Sequence, residues 1–249
     1  MATSRTGMTR WHLLPLAFCL VCLLLPLPLV QAEQRDPFAS LFGHTAFRAH
    51  PGDIPLKLER NWRKVLKAEQ DAPSLRRDTS HLLPPDAPHW LYLADKAPAM
   101  DEMRLLCTVN AFFNKFRYAS DMENYGVKDQ WHSPAKFFSR RAGDCKAYTL
   151  AKYFALRALG MQDDKLRIVL VHLPRRKLFH SMLAVDTANG VFILDNLTRP
   201  IDTILPHNKF SAECIPLFMF NEKGRWTFRQ DLQAMLADQS LTHMPVTAP

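Results

Sequence analysis

Three side chains in this sequence could together carry out nucleophilic acyl chemistry: Cys145, His180 and Asp195. Cys145 follows Gly143-Asp144 and opens the run Cys145-Lys146-Ala147-Tyr148-Thr149-Leu150, which reads as the start of a helix. A thiol there feels the positive end of the helix dipole, which favours thiolate. Lys146 adds a positive charge beside it, and Asp144 opposes it unless the helix N–H groups hold the carboxylate. A nucleophilic thiol also needs a base, and the base an orienting group. Ten histidines are present. His44, His50, His81, His89, His207 and His243 lie in loop-like sequence, His12 lies in an apolar leader, His132 precedes a Ser-Pro turn, and His172 reads as a packed strand residue. His180 instead opens a strand whose hairpin partner ends in Asp195, so the carboxylate can lie opposite the imidazole. Cysteine at a helix start, histidine on one strand and aspartate on the next is the general arrangement of cysteine-dependent acyl transfer. Spacing alone leaves open a structural cysteine, or a Cys107–Cys214 disulfide with Cys145 left over. No Cys or His pair has the spacing of a zinc site.

The elements that must position these groups are legible in the periodicity. Leu56–Gln70 places Leu58, Trp62, Val65 and Leu66 at helical spacing, and Asp101–Tyr118 carries a broad stripe of Leu105, Val109, Phe112, Phe113 and Phe116. Residues 33–55 read as an extended segment, 71–100 as a long loop with a short turn or helix near His89–Ala94, and 119–133 as a loop. Ser133-Pro134 starts a short helix through Phe138. Asp144 then N-caps a helix that runs to Leu159 and stops at Gly160. Its polar residues Lys146, Thr149, Lys152 and Arg157 form one stripe, and so little polar surface predicts a mostly buried helix. The period then changes. Leu166–Leu173, His180–Asp186, Gly190–Asp195, Ile215–Phe220 and Arg225–Phe228 read as strands, and Gln230–Ala237 as a closing polar helix. Helices followed by consecutive antiparallel strands predict an α+β domain with one helix packed on the sheet.

Composition sets the context. Arg5 and Arg10, the apolar run Leu13–Val30 and the small residues Val30 and Ala32 predict a secretory signal, 1–32, cleaved after Ala32; Pro15, Pro26 and Pro28 disfavour a membrane anchor. The expected organisation is a 33–100 extension and helical region and a 101–240 catalytic core, in a single globular domain from about residue 56, with a loose 241–249 tail. Removing Arg5 and Arg10 takes the net charge of +8 down by two, and the remaining basic residues are dispersed, so no nucleic-acid footprint is present. Once Cys19 and Cys22 leave with the signal, Cys107, Cys145 and Cys214 remain, an odd number for an oxidising compartment, so at least one thiol is free or pairs with another chain.

The stretches Asn110-Ala111-Phe112-Phe113-Asn114, Gly126–Phe137, Gly143-Asp144-Cys145, Tyr148–Phe154, His180-Ser181-Met182-Leu183-Ala184, Leu194-Asp195-Asn196 and Phe218–Trp226, in that order, resemble the bacterial transglutaminase-like cysteine proteinases, the group of the LapG-type periplasmic proteases. The likeness covers about residues 103–228. It implies a papain-like, transglutaminase-type fold, a triad of Cys145, His180 and Asp195, and endoproteolysis in the periplasm. It implies as substrate the N-terminal region of a large surface adhesin, cut at a small-residue (di-alanine) site, so that attachment in biofilms is controlled. It also implies an inner-membrane cyclic di-GMP receptor as partner, calcium as cofactor, and, by analogy with transglutaminases, the Trp131 indole as a second oxyanion donor beside the Cys145 backbone N–H. One departure stands out. The family usually reads Asp-Cys-Glu-Asp where this chain reads Asp144-Cys145-Lys146-Ala147. With two carboxylates missing and a cation added, calcium binding is expected to be weak or absent, with the Lys146 ammonium taking part of the ion's role by pairing with Asp144 or a loop carboxylate. Two alternatives keep the same residues: a transglutaminase-like acyltransferase, and a non-catalytic homologue that docks to the receptor or adhesin.

Overall fold

The computed structural model describes residues 36–75 and 87–228. The predicted signal segment, the helix at 230–237 and the tail at 241–249 lie outside them. The described chain opens with β1 (Ser40–Leu41), β2 (His44–Arg48), α1 (Leu56–Asp71) and α2 (Ala87–Lys96). It continues with α3 (Glu102–Asn114), β3 (Arg117–Tyr118), α4 (Asp121–Tyr125), α5 (Pro134–Arg140), β4 (Ala142–Gly143) and α6 (Cys145–Ala158). The strand-rich part follows as β5 (Leu166–Leu173), β6 (Leu178–Thr187), β7 (Gly190–Leu194), β8 (Leu205–Pro206), β9 (Ile215–Phe220) and β10 (Arg225–Phe228).

Eight strands form one sheet in the order β1-β2-β10-β9-β5-β6-β7-β8, and a separate pair joins β3 to β4. All neighbours in the large sheet are antiparallel, and the architecture is α+β. The central strands are buried on both faces, which is why β5 and β6 read as nearly continuous apolar runs. Successive side chains on β5 divide between two cores. Leu166, Ile168 and Leu170 join the cluster around α6, α1 and α3, whereas Val169, Val171 and Leu173 join the opposite cluster with Phe38, Leu41, Phe42 and Phe210. The α6 side is rich in rings: Trp62 meets Tyr153, Phe154 and Phe220 at 5.1–6.0 Å between centroids.

Three features depart from the sequence reading. The segment read as a plain extension contributes two strands, with Phe47 paired to Thr227 and Ala46 to Phe228, so the sheet begins before residue 56. The loop before the Ser-Pro turn contains α4, capped by the Ser120 side chain and closed by Gly126 in the left-handed region at φ 69°. The polar stripe of α6 does not face water: Lys146, Thr149 and Lys152 are all buried, and only Arg157 is partly exposed. A polar stripe normally marks a solvated face; this one points inward, and the Lys146 charge is met there by Asp144 and Asp121.

Candidate active site

The Asp144 side chain caps α6 by accepting from the backbone N–H groups of Lys146 and Ala147 at 3.1 and 3.2 Å. That fixes Cys145 as the first residue of the helix, where backbone N–H groups lack intrahelical partners. Gly143 permits the approach: a Cβ there would lie 2.6 Å from the Ala147 Cβ and 2.8 Å from the Phe137 ring. Cys145 is fully buried, and the backbone N–H of Ser181, the residue after His180, favours the charged form of its sulfur. α6 therefore delivers the thiol to the stretch of β6 that carries the histidine.

Pairing between β6 and β7 ends at Leu183 opposite Leu194, so His180 and Asp195 both lie just past the ladder. There the imidazole Nε2 meets Asp195 Oδ1 at 2.6 Å. Burial pushes the Asp195 carboxyl upward, but the charge and hydrogen bond of His180, and then Lys152, hold it down at about 2. An ionised carboxylate only accepts, so Nε2 carries the proton and the lone pair of a neutral ring resides on Nδ1. Nδ1 is buried and makes no hydrogen bond. Buried polar atoms are nearly always paired, so this orphan leaves the ring a lone pair with no partner among the described residues. Cys107 and Cys214 are free as well, so no disulfide joins them.

The expectation of a depressed thiol pKa is not met. Burial, then Asp144, push the Cys145 thiol well above its usual range, while Lys146 and the Ser181 N–H work the other way. That direction favours the neutral thiol.

Lys146 is held by carboxylates. Its ammonium hydrogen-bonds Asp144 Oδ2 and, at 3.0 Å, Asp121 Oδ2, with Asp129 Oδ1 at 3.8 Å. Burial alone would drive that ammonium toward neutrality; Asp144, then Asp121, outweigh it and keep it charged. Burial likewise raises Asp144, to about 6, with Lys146 pulling it down. The Trp131 indole N–H is engaged by Asp129 Oδ1 at 3.0 Å.

Several positioning residues carried no functional reading in the sequence. The side-chain amide of Asn114 donates to the backbone carbonyls of Asp195 and Ile201, each at 2.9 Å, and that of Asn110 to Ile201 and Thr203 at 3.2 and 3.0 Å. Together they tie the chain after β7 to α3. Two asparagines four residues apart in the apolar second half of α3 are the available signal. Thr198 donates to Asp195 Oδ2 at 3.3 Å. Lys152, two turns after Cys145, is buried near Asp195; burial pulls its ammonium down to about 7, with Asp195 opposing. A cavity of about 400 Å³ opens beside the pair, lined by His180 and Asp195 with Met182, Leu205, Phe210 and Cys214.

Comparisons with known proteins identify the family. Residues 93–215 match the family model described as bacterial transglutaminase-like cysteine proteinase BTLCP. Legionella pneumophila LapG in its calcium-bound form is 29% identical over 66% of this chain and 86% of its own, with a TM-score of 0.50. The EGTA-treated form of the same Legionella protein is 30% identical over 57% of this chain and 76% of its own, also with a TM-score of 0.50. No curated protein matches. The fold is therefore papain-like, and the chain belongs to the bacterial transglutaminase-like cysteine proteinases, a family of cysteine peptidases.

Proposed function

We propose that this chain is a periplasmic cysteine endopeptidase that cuts the N-terminal region of a large surface adhesin at a small-residue (di-alanine) site, and that an inner-membrane cyclic di-GMP receptor controls its access to that substrate. The supporting observation is the pairing of an orphaned His180 Nδ1 with an Nε2 held by an ionised Asp195. His180 takes the Cys145 proton as the sulfur attacks the scissile carbonyl. The Cys145 backbone N–H, at the positive end of α6, receives the developing oxyanion. The imidazolium then protonates the leaving amine, and Asp195 stabilises its charge throughout. Water subsequently cleaves the thioester with His180 again as base. The adhesin, the receptor and the compartment are what the resemblance to LapG-type proteases implies. The test is incubation of the purified protein, and of Cys145→Ala, with the N-terminal fragment of a large adhesin from the same organism, with products read by mass spectrometry. Cleavage between small residues by the wild type alone is expected. An intact fragment, or equal cutting by the variant, contradicts the reading.

A further inference from the structure

Three carboxylates from separate pieces of chain converge on Lys146: Asp144, which caps α6; Asp121, the first residue of α4; and Asp129, in the loop before Trp131. The Lys146 side chain is 3% exposed, so this is an interior cation and not a surface ion pair. The oxygens around it are already taken by N–H donors. Asp144 Oδ1 accepts from Lys146 and Ala147, and Asp121 Oδ2 from the Gln130 backbone at 2.7 Å. Asp129 Oδ1 accepts from the Trp131 indole, and Asp129 Oδ2 pairs with Lys57 at 2.7 Å. Calcium requires roughly six to eight oxygen ligands at about 2.3–2.6 Å. To enter here it would have to expel a covalently attached ammonium and strip these donors from their acceptors. The residues present do not fit the ion, and among the described residues no group of three or more His, Cys, Asp or Glu is arranged to hold a metal.

We propose that the Lys146 ammonium is a tethered cation that clamps the 121–131 segment onto the start of α6 and so positions Cys145 without a divalent ion. A diffusible ion leaves when chelated; a lysine side chain does not. The clamp follows from the contacts themselves, whereas its consequence for cleavage rests on the peptidase reading above. The primary measurement uses the wild-type protein: its melting midpoint in excess EGTA and in millimolar calcium, with calcium binding followed by calorimetry. The midpoints are expected to coincide, with no binding heat. A midpoint that rises by several degrees in calcium, or measurable binding, overturns the clamp. A second measurement uses the double variant Lys146→Glu/Ala147→Asp, which recreates the Asp-Cys-Glu-Asp run. It should melt lower in EGTA and recover in calcium, with the alkylation rate of Cys145 recovering in parallel. A double variant as indifferent to calcium as the wild type also overturns the proposal. The two readings separate cleanly: a wild type that cuts adhesin only with calcium sinks the clamp alone, and a calcium-indifferent protein that cuts nothing sinks the adhesin reading alone.

Discussion

Asp195→Asn removes the charge that orients His180 while keeping the size of the side chain. The carboxyl is held at about 2 in the fold against an ordinary 3.8. At about 1.4 kcal/mol per tenfold change in proton affinity, the charged form contributes about 2 kcal/mol to stability. The sign is that of a depressed acid: the contribution is complete above the unfolded value and is lost as the pH falls toward the folded one. The variant should therefore be less stable than the wild type by about 2 kcal/mol at pH 6, and the linkage relation makes about half of that gap disappear by pH 3. Urea denaturation of both proteins across this range measures it directly. A gap that stays constant with pH, or widens on acidification, would refute a buried Asp195 carboxylate held ionised beside His180. The same substitution should lower kcat by roughly 10³- to 10⁴-fold, because an asparagine no longer holds the proton on Nε2 and the lone pair on Nδ1.

Gly143→Ala should destabilise by roughly 1–3 kcal/mol, since its Cβ would lie 2.6 Å from Ala147 at the turn that sets Cys145; an unchanged melting midpoint would contradict that packing. Trp131→Phe should change kcat by less than about tenfold, because the indole N–H is spent on Asp129; a loss of roughly 10²- to 10³-fold would instead make it an oxyanion donor. Asn114→Ala removes its own two bonds, to the Asp195 and Ile201 carbonyls. It should cost about 1–3 kcal/mol and lower kcat with little change in KM, whereas unchanged kinetics would mean that Asp195 needs no such support.

Much of this arrangement could be read from local sequence. β5, β9 and β10 run as expected because each apolar stretch is bounded by turn residues that stop it, and Asp144 caps α6 because a short acidic side chain before a helix has little else to bond. His180 and Asp195 fall together because the hairpin returns the end of β7 alongside the first half of β6, where His180 sits. The rest depended on contacts distant in sequence. β2 becomes a strand through β10, some 180 residues later, and its own composition carries no such instruction. The burial of α6 is legible, but the partners of its polar stripe are not, because periodicity reports which residues share a face, not what that face meets. Lys146 finds Asp121 and Asp129 only after α4 and the following loop fold over the helix start. The thiol pKa moves opposite to the expectation because full burial, with Asp144 beside it, outweighs Lys146 and the Ser181 N–H.

The most direct test of the central claim, that His180 is the base for Cys145, needs no substrate. Iodoacetamide alkylation at neutral pH is followed site by site by mass spectrometry in the wild type and in His180→Ala, with the partly exposed Cys107 as internal reference. The account predicts that Cys145 labelling slows by roughly 10²-fold or more in the variant while Cys107 labelling is unchanged. Equal Cys145 rates in the two proteins would contradict it.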